Sequence, residues 1–180
     1  MRSLIGLTKG WAGKPSHPPL TDASIGAYTV GVAMLVAGKI GLQTPQMAAG
    51  SLIAISGGLL LAAPTALTGL LDWLELPKGT PVRSVATAHL VAMVTATVLF
   101  AITWLAQRPG YNHGDVRTSA LVLGLVAGAT LAAGGYIGGA IVFVYGKRVL
   151  GREETPAADA LVPGRAAQAD DGIDVRYRSE

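Results

Sequence analysis

The chain predicts an all-α fold, an integral membrane four-helix up-down bundle with a disordered C-terminal tail, and three observations carry that expectation. The 180 residues are 51% hydrophobic and only 14% charged, with a mean hydropathy of +0.47, far from the charge content of a soluble domain of this size. Four apolar stretches, 23–42, 47–71, 85–106 and 119–146, each supply about the 20 residues that a helix needs to cross roughly 30 Å of hydrocarbon. Lys39 alone interrupts the first, and the other three hold no Asp, Glu, Lys or Arg. The connections 43–46, 75–82 and 107–118 are short, so successive helices must run antiparallel.

The elements follow in order. Residues 1–22 form an N-terminal segment, and the transmembrane domain spans 23–148, with helices over 23–42, 47–74, 84–106 and 118–146. The first apolar stretch exceeds the core of about 7–15 residues of a secretory signal and follows a long polar leader, so it reads as a retained helix, with Asp22 placed to cap its positive end. In the second helix, Gly50, Ala54, Gly58, Ala62 and Ala66 recur at every fourth position, and Pro64 should kink the helix near Leu60. The fourth helix has Gly124, Gly128 and Ala132, then the pairs Gly134/Gly138 and Gly135/Gly139. Small residues at this spacing let helix backbones approach closely where lipid supplies no hydrophobic drive between helices. From 149 to 180 the chain turns to Ala, Pro, Asp, Glu and Arg without apolar period, which predicts a flexible cytoplasmic tail.

Basic residues set the orientation. Arg2, Lys9, Lys14, Lys78, Arg83, Lys147, Arg148 and Arg152 would lie on one side, against Lys39, Arg108 and Arg117 on the other, which places both termini in the cytoplasm. Trp73 and Tyr145 then fall at the inner interface, and Trp104 and Tyr111 at the outer one.

This topology gathers His17, Asp22, Asp72, Trp73, Arg83, His89 and Tyr136 at the cytoplasmic end. Each member has a plain alternative: Asp22 as a helix cap, Asp72 as a partner of Lys78 or Arg83, and His89 as a neutral ring bonded to a neighbouring helix carbonyl. His113 belongs to the solvated outer loop. The absence of cysteine excludes disulfides, thiolate metal sites and cysteine nucleophiles, no basic run with interleaved aromatics points to nucleic acid, and Ser51 and Ser56 have neither a nucleophile elbow nor a nearby base.

Four separated motifs, HPPLTDASIGAYT, ALTGLLDW, the run from Gly79 to His89 and GGYIGG, together resemble the bacterial membrane family called domain of unknown function 2231. The resemblance covers roughly Trp11 to Lys147 and implies a polytopic module of the bacterial inner membrane; some relatives carry a Rieske iron-sulfur domain after the fourth helix. Many relatives have a histidine directly after GGYxGG, where this chain has Ala140, so a second haem-ligating histidine at that position is absent. The leading expectation is a non-catalytic membrane anchor or accessory subunit that sits in the lipid bilayer beside a membrane protein partner, such as a redox complex. Two other readings stay open: a b-type haem protein with His89 and His17 as the cofactor-binding residues, and a small transporter or channel. No metal ligand set and no catalytic residues are assigned. A reporter fused after Glu180 should read as cytoplasmic; a periplasmic signal would move the polar cluster to the outer face.

Overall fold

The computed structural model describes residues 16–147, of which His17–Lys147 form one compact unit. The predicted tail, most of the N-terminal segment, and Arg2, Lys9, Lys14, Arg148 and Arg152 of the orientation argument lie outside the described residues. Four helices make up the unit: α1 (His17–Lys39), α2 (Thr44–Glu75), α3 (Pro81–His113) and α4 (Thr118–Phe143). All four are long and apolar enough to cross a membrane, and no strand occurs among the described residues. The polar peptide groups explain the choice, since an apolar helix satisfies its own N–H and C=O groups without water.

Helix ends depart from the sequence expectation. α1 begins at His17 rather than Ala23, because Pro18 and Pro19 occupy the first turn, where no intrahelical N–H donor is required. Asp22 therefore stands one turn inside the helix, exposed, and does not cap it. α3 continues through Pro109 to His113, seven residues past its predicted end, and closes on Gly114 in the left-handed conformation. α2 starts at Thr44 and runs without interruption through Pro64, whereas α4 stops at Phe143, three residues early. At 32 and 33 residues, α2 and α3 are about 48 to 50 Å long, more than the hydrocarbon demands.

Two hairpins, α1 with α2 and α3 with α4, make the most intimate pairs and close into a four-membered ring. Tyr28 and Phe100 meet in its centre, rings stacked at 4.0 Å and 3°. Tyr28 is 2% exposed, and its ring lies where a Cβ on Gly58 would come within 2.6 Å. Leu35, Ile55, Ala96, Ala120, Ala127 and Leu131 complete the core around this stack.

The burial pattern repeats. The five buried positions of α1, Ser24, Tyr28, Gly31, Leu35 and Gly38, are matched 72 positions later by buried Ala96, Phe100, Thr103, Gln107 and Gly110 of α3. Ser51, Ile55, Gly58 and Thr65 of α2 are matched 69 positions later by Ala120, Gly124, Ala127 and Gly134 of α4.

Only part of the small-residue pattern serves packing. Gly50 faces Met34, Gly124 faces Leu35 and Thr103, Gly128 approaches Val32, and Gly134 faces Met93. Ala54 and Ala62 are half-buried, with Ala62 against the core, but Ala66 and Ala132 are exposed. Gly135 meets nothing within 4 Å, and Gly139 meets only Phe143 of its own helix, so this pair is not a helix contact. Each stands one residue, or about 100°, around α4 from the packed Gly134 and Gly138. The α1 face, Ser24, Gly31 and Gly38, is the small stripe the sequence reading lacked; Cβ atoms there would strike Ile55 at Gly31, and Val116 and Met47 at Gly38.

Gly58→Leu should push Tyr28 off its seat and destabilise the bundle by about 1–3 kcal/mol, the usual range for overpacking. Gly135→Leu should leave stability unchanged. Thermal aggregation in mild detergent compares the two, and equal midpoints would show that α2 does not pack on Tyr28.

Candidate functional site

The polar residues expected at one end of the bundle divide among three seams of the ring. In the α1–α2 seam, His17 donates its Nδ1 hydrogen to Thr65 O at 3.0 Å, with Thr68 Oγ1 at 3.3 Å as a second acceptor. A carbonyl cannot donate, so this contact fixes the hydrogen on Nδ1 and leaves Nε2 3.4 Å from Thr21 Oγ1. The ring lies against Gly69, where a Cβ would stand 2.6 Å from Cε1. One turn deeper, Ser24 and Thr65 join hydroxyls at 3.2 Å while also bonding to Leu20 O and Leu61 O of their own helices.

The α2–α3 seam belongs to Trp73 and Arg83. The Arg83 guanidinium sits 4.1 Å above the Trp73 ring and donates to Trp73 O and Leu76 O. These are carbonyls of the last turn of α2 and the residue that ends it, so a cation from the start of α3 caps the negative end of the preceding helix. Trp73 Nε1 donates to Thr87 Oγ1 at 2.9 Å, which ties the same turn to α3 a second time.

In the α3–α4 seam, His89 donates Nδ1–H to Gly134 O at 2.8 Å. A Cβ at Gly138 would come within 2.8 Å of its Cε1. The Nδ1 contact is a bond to a neighbouring helix carbonyl, the plain alternative that the sequence leaves open for His89.

Tyr136 does not join them. It is 85% exposed, because two residues' turn on α4 sets it about 200° from Gly134. Asp22 is exposed as well. Three groups that the sequence reading missed, Thr65, Thr68 and Gly69, supply the acceptors and the seat for His17; Gly69 lies within ALTGLLDW, yet helical spacing alone gives no sign that an imidazole needs it.

The opposite end has its own polar fastening. Buried Gln107 donates to Asp115 O at 3.0 Å and accepts from Arg117 N at 3.1 Å, which holds the α3–α4 turn. Lys39 reaches Val116 O and Thr118 Oγ1, at 3.2 and 2.8 Å. Trp104 turns its indole to Ser56 Oγ at 2.8 Å, so it bridges α3 and α2 as well as lying under the Arg108 guanidinium. Among the described residues, no three His, Asp or Glu side chains gather closely enough to hold a metal ion.

In comparison with known proteins, the family described as "Predicted membrane protein (DUF2231)" fits residues 13–151. No curated protein and no solved structure matches the chain.

His89→Gln keeps a donor for Gly134 O and should leave assembly nearly intact, whereas His89→Leu should lose little more than an intramembrane hydrogen bond, about 0.6 kcal/mol. Arg83→Ala removes the cap and the ring contact together and should cost more than either. Unfolding in mixed micelles ranks the three, and a His89→Leu loss above that of Arg83→Ala would contradict the assignment.

Proposed function

Because the chain belongs to the DUF2231 family of predicted membrane proteins, we propose that it works as a non-catalytic membrane subunit, an anchor or accessory module in the inner membrane of a bacterium, with both termini cytoplasmic. The observation that carries this reading is how the polar side chains are used. His17, Arg83, Trp73, His89 and Gln107 each spend a donor on the backbone or a hydroxyl of a neighbouring helix or turn. Inside a bilayer such groups are commonly the machinery of transport or catalysis. Here they fasten helix to helix, which suits a scaffold whose task is to present a fixed shape to a partner, such as a redox complex. The exposed carboxylate of Asp22 and the ring of Tyr136 are available for that contact.

A b-type haem held by His89 and His17 is a second reading, and one observation favours it. Both rings commit Nδ1–H to a main-chain carbonyl and leave Nε2 as the electron-pair donor, the arrangement by which an outer carbonyl orients a ligating imidazole. Bound haem would supply one-electron exchange, and His17 and His89 are the residues that would hold it.

Purification of the tagged chain in mild detergent separates the two. The accessory reading expects a colourless preparation that retains a stoichiometric membrane partner; a Soret band that vanishes in His89→Gln would replace it with the haem reading.

A further inference from the structure

The two hairpins follow one pattern, and each shows what the other could do without. His17 and His89 are 72 positions apart, the interval that relates the buried residues of α1 and α3. Their acceptors, Thr65 O and Gly134 O, are 69 positions apart, as are Gly69 and Gly138 beneath the rings, and this is the interval that relates α2 and α4. Both hairpins start at the same end of the bundle, so the axis relating them runs along the helices. The stack of Tyr28 on Phe100, themselves equivalent residues, marks that axis.

In the half nearer the histidines the hairpins differ in one respect. The first carries hydroxyls at Thr21, Ser24, Tyr28, Thr65 and Thr68; the equivalent residues of the second are Met93, Ala96, Phe100, Gly134 and Ile137, none with a polar side chain. Thr97, one turn before Phe100 and beside the Tyr28 hydroxyl, likewise corresponds to Ile25, which packs against the core. The second hairpin folds with apolar groups in all these places, so the fold does not demand the hydroxyls. They run from His17 at the start of α1 to Tyr28 at its middle, roughly 16 Å along the helix.

Bonding within a helix accounts for the hydrogens of this line and not for its oxygens. Thr21, Ser24, Thr65 and Thr68 donate to His17 O, Leu20 O, Leu61 O and Pro64 O of their own helices. Their oxygens keep lone pairs, and those of Ser24 and Thr65 stand 3.2 Å apart. At the deep end the need is reversed: Tyr28, 2% exposed, has a hydrogen to donate and no acceptor at hydrogen-bond distance among the described residues. Its side chain leans toward the start of α1, over Ser24 one turn back, as long side chains on helices do. Acceptors along a seam and a lone donor at its end suit a molecule that donates twice, accepts, and is small enough to sit between packed helices. Water is that molecule. Beyond Tyr28 the same face of α1 continues with Gly31, set against Ile55, and the fully buried Leu35, which close the line.

We propose that the α1–α2 seam binds water from the His17 end as far as the Tyr28 hydroxyl in the middle of the membrane, and that the equivalent α3–α4 seam is dry. The inference goes beyond the accessory reading and does not depend on it. Such a track meets the polar group that the core leaves unmet, and it brings exchangeable hydrogen about half-way across the hydrocarbon from one side.

Hydroxyl radicals generated from bound water by X-ray pulses oxidise the side chains beside that water, so they compare the two rings in the full chain in nanodiscs. Tyr28 and Phe100 are 2% and 0% exposed, which leaves bulk solvent unable to distinguish them. With each rate normalised to the unfolded chain, the proposal expects Tyr28 to be oxidised several-fold faster than Phe100. That excess should disappear when Ser24→Ala and Thr65→Val are combined, since they remove hydroxyls the second hairpin lacks. Equal slow rates, equal fast rates, or an excess that survives the double substitution would overturn the track. Should the double variant fail to fold, Tyr28→Phe decides, because Phe100 shows that the stack accepts phenylalanine. Removing a hydroxyl that water satisfies leaves the thermal midpoint unchanged or lowers it, and a raised midpoint would show a bare hydroxyl and refute the proposal.

Discussion

The stack of Tyr28 on Phe100 is the contact on which the rest of the bundle depends. α1 and α3 stand diagonally across the ring, and two parallel, stacked aromatic rings set how far apart they are. That distance decides what can stand between them and the other two helices: glycine at position 58, where any Cβ would meet the Tyr28 ring, and small or slender residues at Ala96, Ala120 and Ala127. Among the described residues, the Tyr28 hydroxyl is buried without a partner at hydrogen-bond distance; beside it stands Thr97, whose own hydroxyl donates to Met93 O. The one oxygen by which Tyr28 exceeds Phe100 thus sits in the middle of the molecule, where an unmet donor is costly.

With the centre occupied by rings and aliphatic groups, polar side chains are left to the seams and the ends. Ser56, Thr65, Thr87, Thr95, Thr97, Thr103 and Thr130 return their hydroxyl hydrogens to the carbonyl four residues back, which satisfies them inside an apolar helix at little cost. The larger groups, His17, Trp73, Arg83, His89, Trp104 and Gln107, act between elements. At one end they tie α1 to α2, α2 to α3 and α3 to α4; at the other, Gln107 and Lys39 hold the turn into α4. A bundle fastened at both ends and stacked in the middle is held rigid along its length, which is what the proposed accessory role would require.

The class of fold was legible in the chain: four apolar stretches of spanning length, separated by short polar links, leave a helical hairpin as the way to satisfy the backbone in lipid. Gly58, Gly124, Gly134 and Gly138 were legible as packing positions for the same reason, since small residues at helical spacing mark close approach whatever the partner. So was the gathering of His17, Asp72, Trp73, Arg83 and His89 at one end, because the order of helices alone fixes which termini share a side. Tyr136, Gly135, Gly139 and Asp22 were misplaced, and each error is one of rotation or of a helix end. An apolar helix in lipid has no wet face, so its sequence does not say which side turns inward, and two prolines at a first turn permit a start that composition does not announce.

What the sequence by itself determined, then, is the number of helices, their direction and the end at which the ionisable groups lie, all of which follow from hydropathy and connectivity. Only the tertiary structure decided which carbonyl receives each imidazole, which glycine seats it, and that Tyr28 and Phe100 are equivalent. The repeat is written in burial and hardly in residue identity: Leu35 answers to Gln107, Gly31 to Thr103 and Gly124 to Ile55. Different side chains fill equivalent places because what the bundle conserves is volume around an axis, and volume is shared among neighbours that only folding brings together.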